Sequence, residues 1–235
     1  MSRVMLPESF TDKRSPQNFS TCNQLLTVSN KKWIKAVNTI SLIEKIPGDV
    51  PGFECDVYFD TSKNYLQVYH DSAGYMELNF EAILKVYQTR KLSASIWLDF
   101  KNLSAANEKK SLNYLIALRN QYKLQNKLII ESSSPKSLQS FCDSNFFTSF
   151  YTPFFNPYSI KEAELIKHLD SITSALKQYK VSALSGYYFQ YPVLKKYFPN
   201  YPILTWSDNS NISLVSNAFN KILLDDSHVK LVLFP

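Results

Sequence analysis

The chain has 235 residues, of which 45% are hydrophobic and 20% are charged, and its net charge is +6. This length and composition indicate one globular domain and exclude a disordered or fibrous protein. The basic balance contains no arginine-rich run, so we do not expect nucleic acid as a partner. It would help to attract an anionic phosphate ester or a peripheral membrane surface.

The three cysteines, Cys22, Cys55 and Cys142, are far apart and form no CxxC pair. We therefore predict neither a zinc site nor a disulfide framework. No apolar run reaches the roughly 18 residues that a membrane span needs, and no signal peptide is visible. By default we expect a cytoplasmic protein, and the sequence carries no indication of its oligomeric state.

Residues 1–30 are polar and punctuated by proline, which predicts an N-terminal extension before a domain at 31–235. In that domain, short apolar segments alternate with helical patterns. Strands are predicted near Trp33, Asp56, Asp99, Glu131, Thr152, Ala183, Leu204 and Leu233, with the segment YLQVYH extending the second strand. Helices are predicted over 39–46, 79–90, 104–123, 135–142, 159–179, 190–197 and 211–223. This alternation predicts an α/β fold that closes into a single (β/α)8 barrel of the TIM type, with an open parallel sheet as the alternative.

Two predicted strands carry charged side chains on one face. In FECDVYFD, Glu54 and Asp56 are two residues apart and therefore point the same way. Neighbouring carboxylates repel each other, and a divalent cation with oxygen ligands would relieve that repulsion. In SIWLDFK, Asp99 and Lys101 offer a third carboxylate for the metal and an ammonium for a phosphoryl oxygen. The alternatives are an exposed polar strand face for the first pair and a surface ion pair for the second.

A histidine and two aromatic stretches complete the candidates. His70 is followed by Asp71 in VYHD, and a neighbouring carboxylate can orient an imidazole for proton transfer near neutral pH. A purely structural histidine is the alternative. The aromatic-rich stretches over 146–158 and 185–198 fit the lining of an apolar or sugar-like substrate channel, or the packing of helices.

Taken together, the blocks WIKAVNT, FECDVYFD, VYHD, IWLDFKN, ILTW and VKLVLFP occur in an order that resembles the glycerophosphodiester phosphodiesterase superfamily. The resemblance covers about residues 33–235 and is strongest to sphingomyelinase D-type phospholipases and menorin-type proteins. It implies a phosphodiesterase barrel with a magnesium or calcium cofactor held by Glu54, Asp56 and Asp99.

The resemblance also implies roles for individual side chains. His70 matches one of two catalytic histidines, and Lys101 matches a lysine that contacts phosphate. Asn38 matches the asparagine of an HxxN block, and Trp206 matches a tryptophan that forms a wall of the substrate pocket. Glu131, which ends the predicted strand KLIIES, is a further candidate for substrate contact.

One position departs from the family pattern, because Lys35 stands where the HxxN block has its histidine. The implied activity is that of a metal-dependent phosphodiesterase or phospholipase D-like enzyme, a hydrolase or lyase of glycerophosphodiesters or lysophospholipids. The alternative is a catalytically impaired relative that serves as a phosphate-binding or scaffold protein. We expect Lys35 to bind phosphate or replace part of the metal charge, and to pair with a carboxylate in the metal-free protein.

Overall fold

The structure is a computed structural model that describes residues 14–71, 77–207 and 214–235, with side chains except at 214–219. Residues 1–13 of the predicted extension and the first three residues of the helix predicted at 211–223 lie outside this description. The strands are β1 (Lys32–Ile34), β2 (Gly52–Asp60), β3 (Tyr65–Val68), β4 (Ser95–Phe100), β5 (Leu128–Ser132), β6 (Phe147–Tyr151), β7 (Ala183–Tyr187), β8 (Ile203–Trp206) and β9 (Val229–Phe234). The helices are α1 (Ile40–Lys45), α2 (Phe80–Thr89), α3 (Glu108–Gln121), α4 (Pro135–Asp143), α5 (Glu162–Gln178), α6 (Tyr191–Tyr197) and α7 (Leu214–Asp225).

Eight of the strands form a closed parallel barrel. They pair in the order β1, β9, β8, β7, β6, β5, β4, β2, and a second pairing between β1 and β2 closes the ring. β3 runs antiparallel to β2 outside this ring, where it extends the second strand. The prediction of a single (β/α)8 barrel is thus confirmed, and the open sheet is excluded.

Strand alternation separates two apolar regions. On β2, Phe53, Cys55 and Val57 are fully buried and belong to the large core between the strands and the helices. The residues between them on β2 point into the barrel. A smaller apolar cluster fills the barrel interior and is formed by Trp33, Trp97, Ile129, Phe147, Ala183, Leu204, Leu231 and Leu233.

The described part of the N-terminal segment, 14–30, closes the base of the barrel, where the strands begin. The backbone N–H of Thr27 donates to the carbonyl of Asn126, which precedes β5, at 2.7 Å. Leu26 and Val28 pack against the apolar cluster inside the barrel. This segment therefore covers the lower end of the interior and separates it from solvent.

A disulfide joins Cys22 in this segment to Cys142 near the end of α4, with the two Cα atoms 6.1 Å apart. The prediction that no disulfide would form is therefore wrong, because the folded chain brings together two cysteines that are 120 residues apart in sequence. Cys55 is a buried free thiol. Disulfides persist mainly in oxidising compartments, so this bond gives no support to the cytoplasmic expectation. No helix in the described ranges has the length and apolar character that a bilayer span requires.

Candidate functional site

A cavity of about 120 Å³ opens at the mouth of the barrel, where the parallel strands end. Sites in this architecture form at that end because the loops that follow the strands converge there. Eight of the nine candidates from the sequence line the cavity, and the ninth, Asn38, is bonded to one of them. The lining residues are Lys35, Glu54, Asp56, His70, Trp97, Asp99, Lys101, Glu131, Tyr151, Tyr187, Trp206 and Leu233.

Three carboxylates converge inside this mouth. Glu54 and Asp56 project from β2 and are each 3% exposed, and Asp99 projects from β4 directly beside Asp56 in the strand register. One oxygen from each of the three side chains lies within 4.8 Å of the others. Such a spacing lets three oxygen ligands share one hard divalent cation.

Burial and mutual repulsion raise the pKa of three carboxyls at the mouth, Glu54, Asp99 and Glu131. Burial, followed by the charges of Asp56 and Asp99, raises the pKa of Glu54 to about 8. Burial and then Asp99 raise the pKa of Glu131 well above its ordinary value. If all of its carboxyls were ionised, the mouth would therefore carry more negative charge than its lysine side chains could balance.

The ammonium of Lys101 supplies part of the missing positive charge. Its Nζ donates to Asp56 Oδ1 at 2.7 Å and also to Asp99 Oδ2. Burial lowers the pKa of Lys101, but the two carboxylates raise it by a larger amount, so the net shift is upward. Lys101 thus bridges two of the three carboxylates as an internal cation.

The segment after β1 holds the Asp56 and Glu54 carboxylates in place. Asn38 Nδ2 donates to Asp56 Oδ2 at 2.6 Å, and Asn38 Oδ1 accepts from the Asp56 backbone N–H at 2.9 Å. The Ala36 backbone N–H donates to Glu54 Oε2 at 2.6 Å. Ala36 adopts a left-handed backbone with φ of 58°, which disfavours a residue with a Cβ. This strained conformation aims the N–H at the Glu54 carboxyl.

Lys35 directly follows β1 and lines the cavity, but it does not make the ion pair that we expected. Its backbone N–H donates to the carbonyl of Phe234 at 2.7 Å, which continues the pairing of β1 with β9. Its side chain forms no ion pair with the carboxylates in the described part of the chain. The expectation that Lys35 pairs with a carboxylate in the metal-free protein is wrong, because Lys101, on the same strand segment as Asp99, already takes that position.

His70 lies at the rim of the cavity and not in its depth. Its side chain is 67% exposed, and its Nδ1 lies 3.3 Å from Asp71 Oδ2. The Tyr58 hydroxyl donates to the His70 carbonyl at 3.2 Å, and the ring of Tyr58 stacks on Tyr69 at 4.2 Å between centroids. The imidazole thus has a carboxylate partner on one side and access to the cavity on the other.

Aromatic side chains form the wall opposite β2. Tyr151 and Tyr187 end β6 and β7, and their rings contact Trp206 at centroid distances of 5.5 and 4.9 Å. Trp97 lies deeper, on β4. The sequence indicated aromatic stretches but did not single out Tyr151, Tyr187 or Trp97. Their signal was the position on an inward-facing strand pattern, whereas Trp206 had been identified by the family resemblance.

No family model matches this sequence, and no curated protein matches it either. Solved structures match its fold over most of the chain. A Galdieria sulphuraria protein assigned as a glycerophosphodiester phosphodiesterase is 10% identical and has a TM-score of 0.58, over 88% of this chain and 94% of the other. A glycerophosphodiester phosphodiesterase from Parabacteroides distasonis is 14% identical and has a TM-score of 0.52, over 87% and 92% of the two chains.

A third similar structure is an Oleispira antarctica phosphodiesterase in complex with the product sn-glycerol-3-phosphate. It is 11% identical and has a TM-score of 0.53, over 92% of this chain and 95% of the other. At such low identity the likeness concerns the fold. This chain therefore has the barrel fold of the glycerophosphodiester phosphodiesterases, as the order of its sequence blocks implied.

Proposed function

We propose that this chain is a divalent-metal-dependent phosphodiesterase, with phospholipase D-like chemistry, that acts on glycerophosphodiesters or lysophospholipids. The observation that carries the proposal is the convergence of Glu54, Asp56 and Asp99 beside Lys101 at the barrel mouth. The fold shared with a phosphodiesterase that is bound to sn-glycerol-3-phosphate supports it.

The donor set fits magnesium or calcium. All three candidate ligands are carboxylate oxygens, which hard divalent cations prefer, and none of them is a thiol or an imidazole. The raised pKa of Glu54 shows that the mouth disfavours a third ionised carboxylate without more positive charge. A bound divalent ion would neutralise charge on the non-bridging phosphoryl oxygens of the substrate. Asn38 would keep Asp56 oriented as a ligand through its two hydrogen bonds.

The remaining polar groups suit phosphate binding and proton transfer. Lys101 would exchange one carboxylate partner for a phosphoryl oxygen, and Lys35 would hold a second phosphoryl oxygen from the β1 side. A charged ammonium is a poor base, so Lys35 would bind phosphate and would not abstract a proton. His70, oriented by Asp71, would move the proton. Water as the attacking group would give hydrolysis, whereas a hydroxyl of the substrate would give a cyclic phosphate.

Turnover of a panel of phosphodiesters tests this proposal. Glycerophosphodiesters and lysophospholipids would be incubated with the protein in Mg²⁺, in Ca²⁺ or in EDTA, and the products identified by ³¹P NMR. We expect metal-dependent turnover that is lost in His70→Asn. The matched control is His168→Asn, because His168 lies on α5 against the ring of Phe155 and outside the cavity.

The Lys35 position separates the enzyme from the alternative of a phosphate-binding or scaffold protein. Strong turnover in the parent that falls in Lys35→Ala, with weaker phosphate binding, would support the enzyme and the phosphate-binding role. A parent that binds phosphodiesters without turnover, and that gains activity only as Lys35→His, would contradict the enzyme and support the alternative.

A further inference from the structure

A patch of exposed aromatic rings lies on one side of the barrel mouth, on the two loops that follow β6 and β7. Phe154 is 57% exposed and Tyr158 is 39% exposed. The Phe154 ring contacts the rings of Tyr187 and Phe189 at centroid distances of 5.1 and 5.9 Å, and Phe189 contacts Tyr188 at 5.2 Å. We call these five residues the aromatic rim. A contiguous apolar patch on the surface of a folded protein marks a place where a partner binds.

The two loops hold these rings in place through hydrogen bonds. The buried side chain of Gln190 joins the loops. Its Nε2 donates to the carbonyl of Pro153 at 3.0 Å, and its Oε1 accepts the backbone N–H of Tyr187 at 3.0 Å. Within the first loop, the carbonyl of Asn156 accepts from the backbone N–H of Ile160 at 3.1 Å. The exposure of Phe154 is therefore a feature of a well-bonded surface.

The aromatic rim connects the entrance of the cavity to an apolar groove on the outside of the barrel. This groove has a volume of about 440 Å³, and its lining includes Phe150, Pro153, Phe154 and Ala175. On the other side, Tyr187 belongs to the rim and also lines the cavity. A partner that binds the rim therefore lies directly beside the entrance.

The charges of the mouth lie on the opposite side from the rim. The acidic residues that line the cavity are carried by β2, β4 and β5 and are Glu54, Asp56, Asp99 and Glu131. The rim follows β6 and β7, and the sequence has no acidic residue over 144–161 or over 171–207. The exposed Lys161 follows the first rim loop. A surface with phosphate groups can therefore approach the rim without meeting a carboxylate on these two segments.

These features favour a lipid surface over a second protein as the partner. A stable protein–protein interface buries about 800 Å² on each side, and one centred on the rim would cover the cavity that Tyr187 lines. A lipid surface needs only a few rings to enter the region of its headgroups, where aromatic side chains are enriched in membrane proteins. Because the rim itself carries no charged residue, its binding would depend on ring insertion and little on anionic lipids.

We propose that the aromatic rim inserts into the headgroup region of a lipid surface and places the barrel mouth against that surface. Phe154 is the main anchor, because it is the most exposed of the five rings and lies at the centre of their contacts. The inference goes beyond the proposed function, since it concerns where the protein binds and requires no turnover.

Co-sedimentation with vesicles of pure phosphatidylcholine tests this inference. These vesicles are zwitterionic, so the net charge of +6 gives no attraction to them. We expect the parent to bind them, and to keep at least about half of its affinity when NaCl is raised from about 0.1 to 0.5 M, because salt screens charges and not ring insertion.

Variants of the main anchor assign the binding to the rim. Phe154→Asp should lower the vesicle affinity at least about tenfold, because an apolar ring is lost and a charge is placed in the headgroup region. The matched control is Leu25→Asp, since Leu25 is 74% exposed but lies on the segment that closes the base. This control should stay within about twofold of the parent.

A tryptophan at the same position gives a second measurement that does not depend on the aspartate variant folding well. In Phe154→Trp the added indole should be quenched by phosphatidylcholine with brominated acyl chains. In Leu25→Trp the added indole should remain as bright as it is without bromine. Equal quenching in the two variants would contradict insertion through the rim.

The remaining outcomes also decide between partners. Binding that requires phosphatidylserine, disappears at high salt and is unchanged in Phe154→Asp would overturn the rim and assign the effect to net charge. A dimer in sedimentation equilibrium that dissociates in Phe154→Asp, without vesicle binding by the parent, would assign the rim to a second copy of the chain and overturn the inference. Vesicle binding through Phe154 in a protein without turnover would support the inference while the proposed function fails. Turnover of water-soluble glycerophosphodiesters without vesicle binding would give the reverse.

Discussion

At the base of the barrel, the N-terminal segment supplies hydrogen-bonding partners to the beginnings of the strands. At the mouth, by contrast, buried acidic side chains outnumber the lysines that could neutralise them. At the base, the hydroxyl of Ser95 donates to the carbonyl of Thr27 at 2.7 Å, and the Cys22–Cys142 disulfide fastens the segment. At the mouth, one oxygen of the Glu131 carboxyl has no hydrogen-bonding partner among the described residues, and Ala36 has a left-handed backbone.

This difference is typical of a protein that keeps an unfavourable arrangement for function and compensates for it elsewhere. Mutations at the mouth should therefore change chemistry and leave stability almost intact, or even raise it. Mutations at the base should lower stability and leave chemistry unchanged. The following predictions test each half of that statement, and they begin with the largest expected effect.

Glu54→Gln should abolish metal-dependent turnover, with a loss of about 10²- to 10³-fold. The amide removes a metal ligand but keeps the shape of a carboxyl whose pKa is raised to about 8 and which is therefore largely neutral at pH 7. Thermal unfolding should show a melting temperature equal to or above that of the parent. Asp49→Asn, an exposed acid just before β2 at the base, is the control and should retain full turnover. A large loss of stability in Glu54→Gln would contradict the assignment of the mouth as the unfavourable end.

Replacing the disulfide, as Cys22→Ser with Cys142→Ser, should lower the free energy of unfolding by about 2 to 5 kcal/mol. The bond closes a loop of 120 residues, so its loss frees a large part of the unfolded chain. In a domain of this size the melting temperature should fall by roughly 5 to 15 °C. Reductant should lower the melting temperature of the parent and leave that of the double variant unchanged. Turnover below the transition should change less than twofold, and a larger change would show that the two ends are coupled.

Gly52→Ala should destabilise the base by about 1 to 3 kcal/mol. A Cβ at this position would overlap the indole of Trp33, which fills the lower interior of the barrel and is itself 1% exposed. The matched control is Gly48→Ala, since a Cβ there meets no atom within 4 Å. Chemical denaturation of the two variants measures the difference, and equal stabilities would show that the indole moves aside freely.

Much of the mouth could be predicted because it follows from strand geometry. Glu54, Asp56 and Asp99 were recognisable from a period of two on strands whose ends meet in a parallel barrel. The sequence blocks then added Asn38, whose bonds to Asp56 link two segments 18 residues apart. Local periodicity and the order of the blocks were sufficient for these residues.

The disulfide, the pairing of Lys101 and the inward position of Tyr151 depend on contacts between distant parts of the chain, which local periodicity does not encode. The disulfide requires the path of segment 14–30 past the end of α4, which no local pattern contains. The choice of Lys101 over Lys35 as the partner of the carboxylates depends on side-chain reach within the mouth. Tyr151 was hidden among many aromatic residues because only the register of β6 decides which of them face inward.

Stability of the metal-free protein should fall as pH rises from about 4.5 to about 8. Burial raises the pKa of Glu54 from 4.5 to about 8, so between these values the native state holds a proton that the unfolded chain has released. The unfolded state then binds fewer protons than the native state, and stability declines with pH by up to about 1.4 kcal/mol per unit for one proton. Melting temperatures in EDTA at several pH values measure this slope. It should be smaller in Glu54→Gln, and an equal slope in that variant would assign the effect to another group.

Lys101→Met should strengthen Mg²⁺ binding by about tenfold, although it should weaken turnover. In the metal-free protein the ammonium donates to Asp56 at 2.7 Å and to Asp99, so a divalent ion must break these contacts to use the same oxygens. Removing the ammonium removes that competition, but it also raises the pKa of Glu54, and the added proton offsets part of the gain. The control is Lys35→Met, because Lys35 forms no ion pair with the carboxylates in the described ranges and its loss should change Mg²⁺ affinity less. Titration calorimetry in a buffer without phosphate gives both affinities. Weaker Mg²⁺ binding in Lys101→Met than in Lys35→Met would show that Lys101 organises the carboxylates for the metal and does not compete with it.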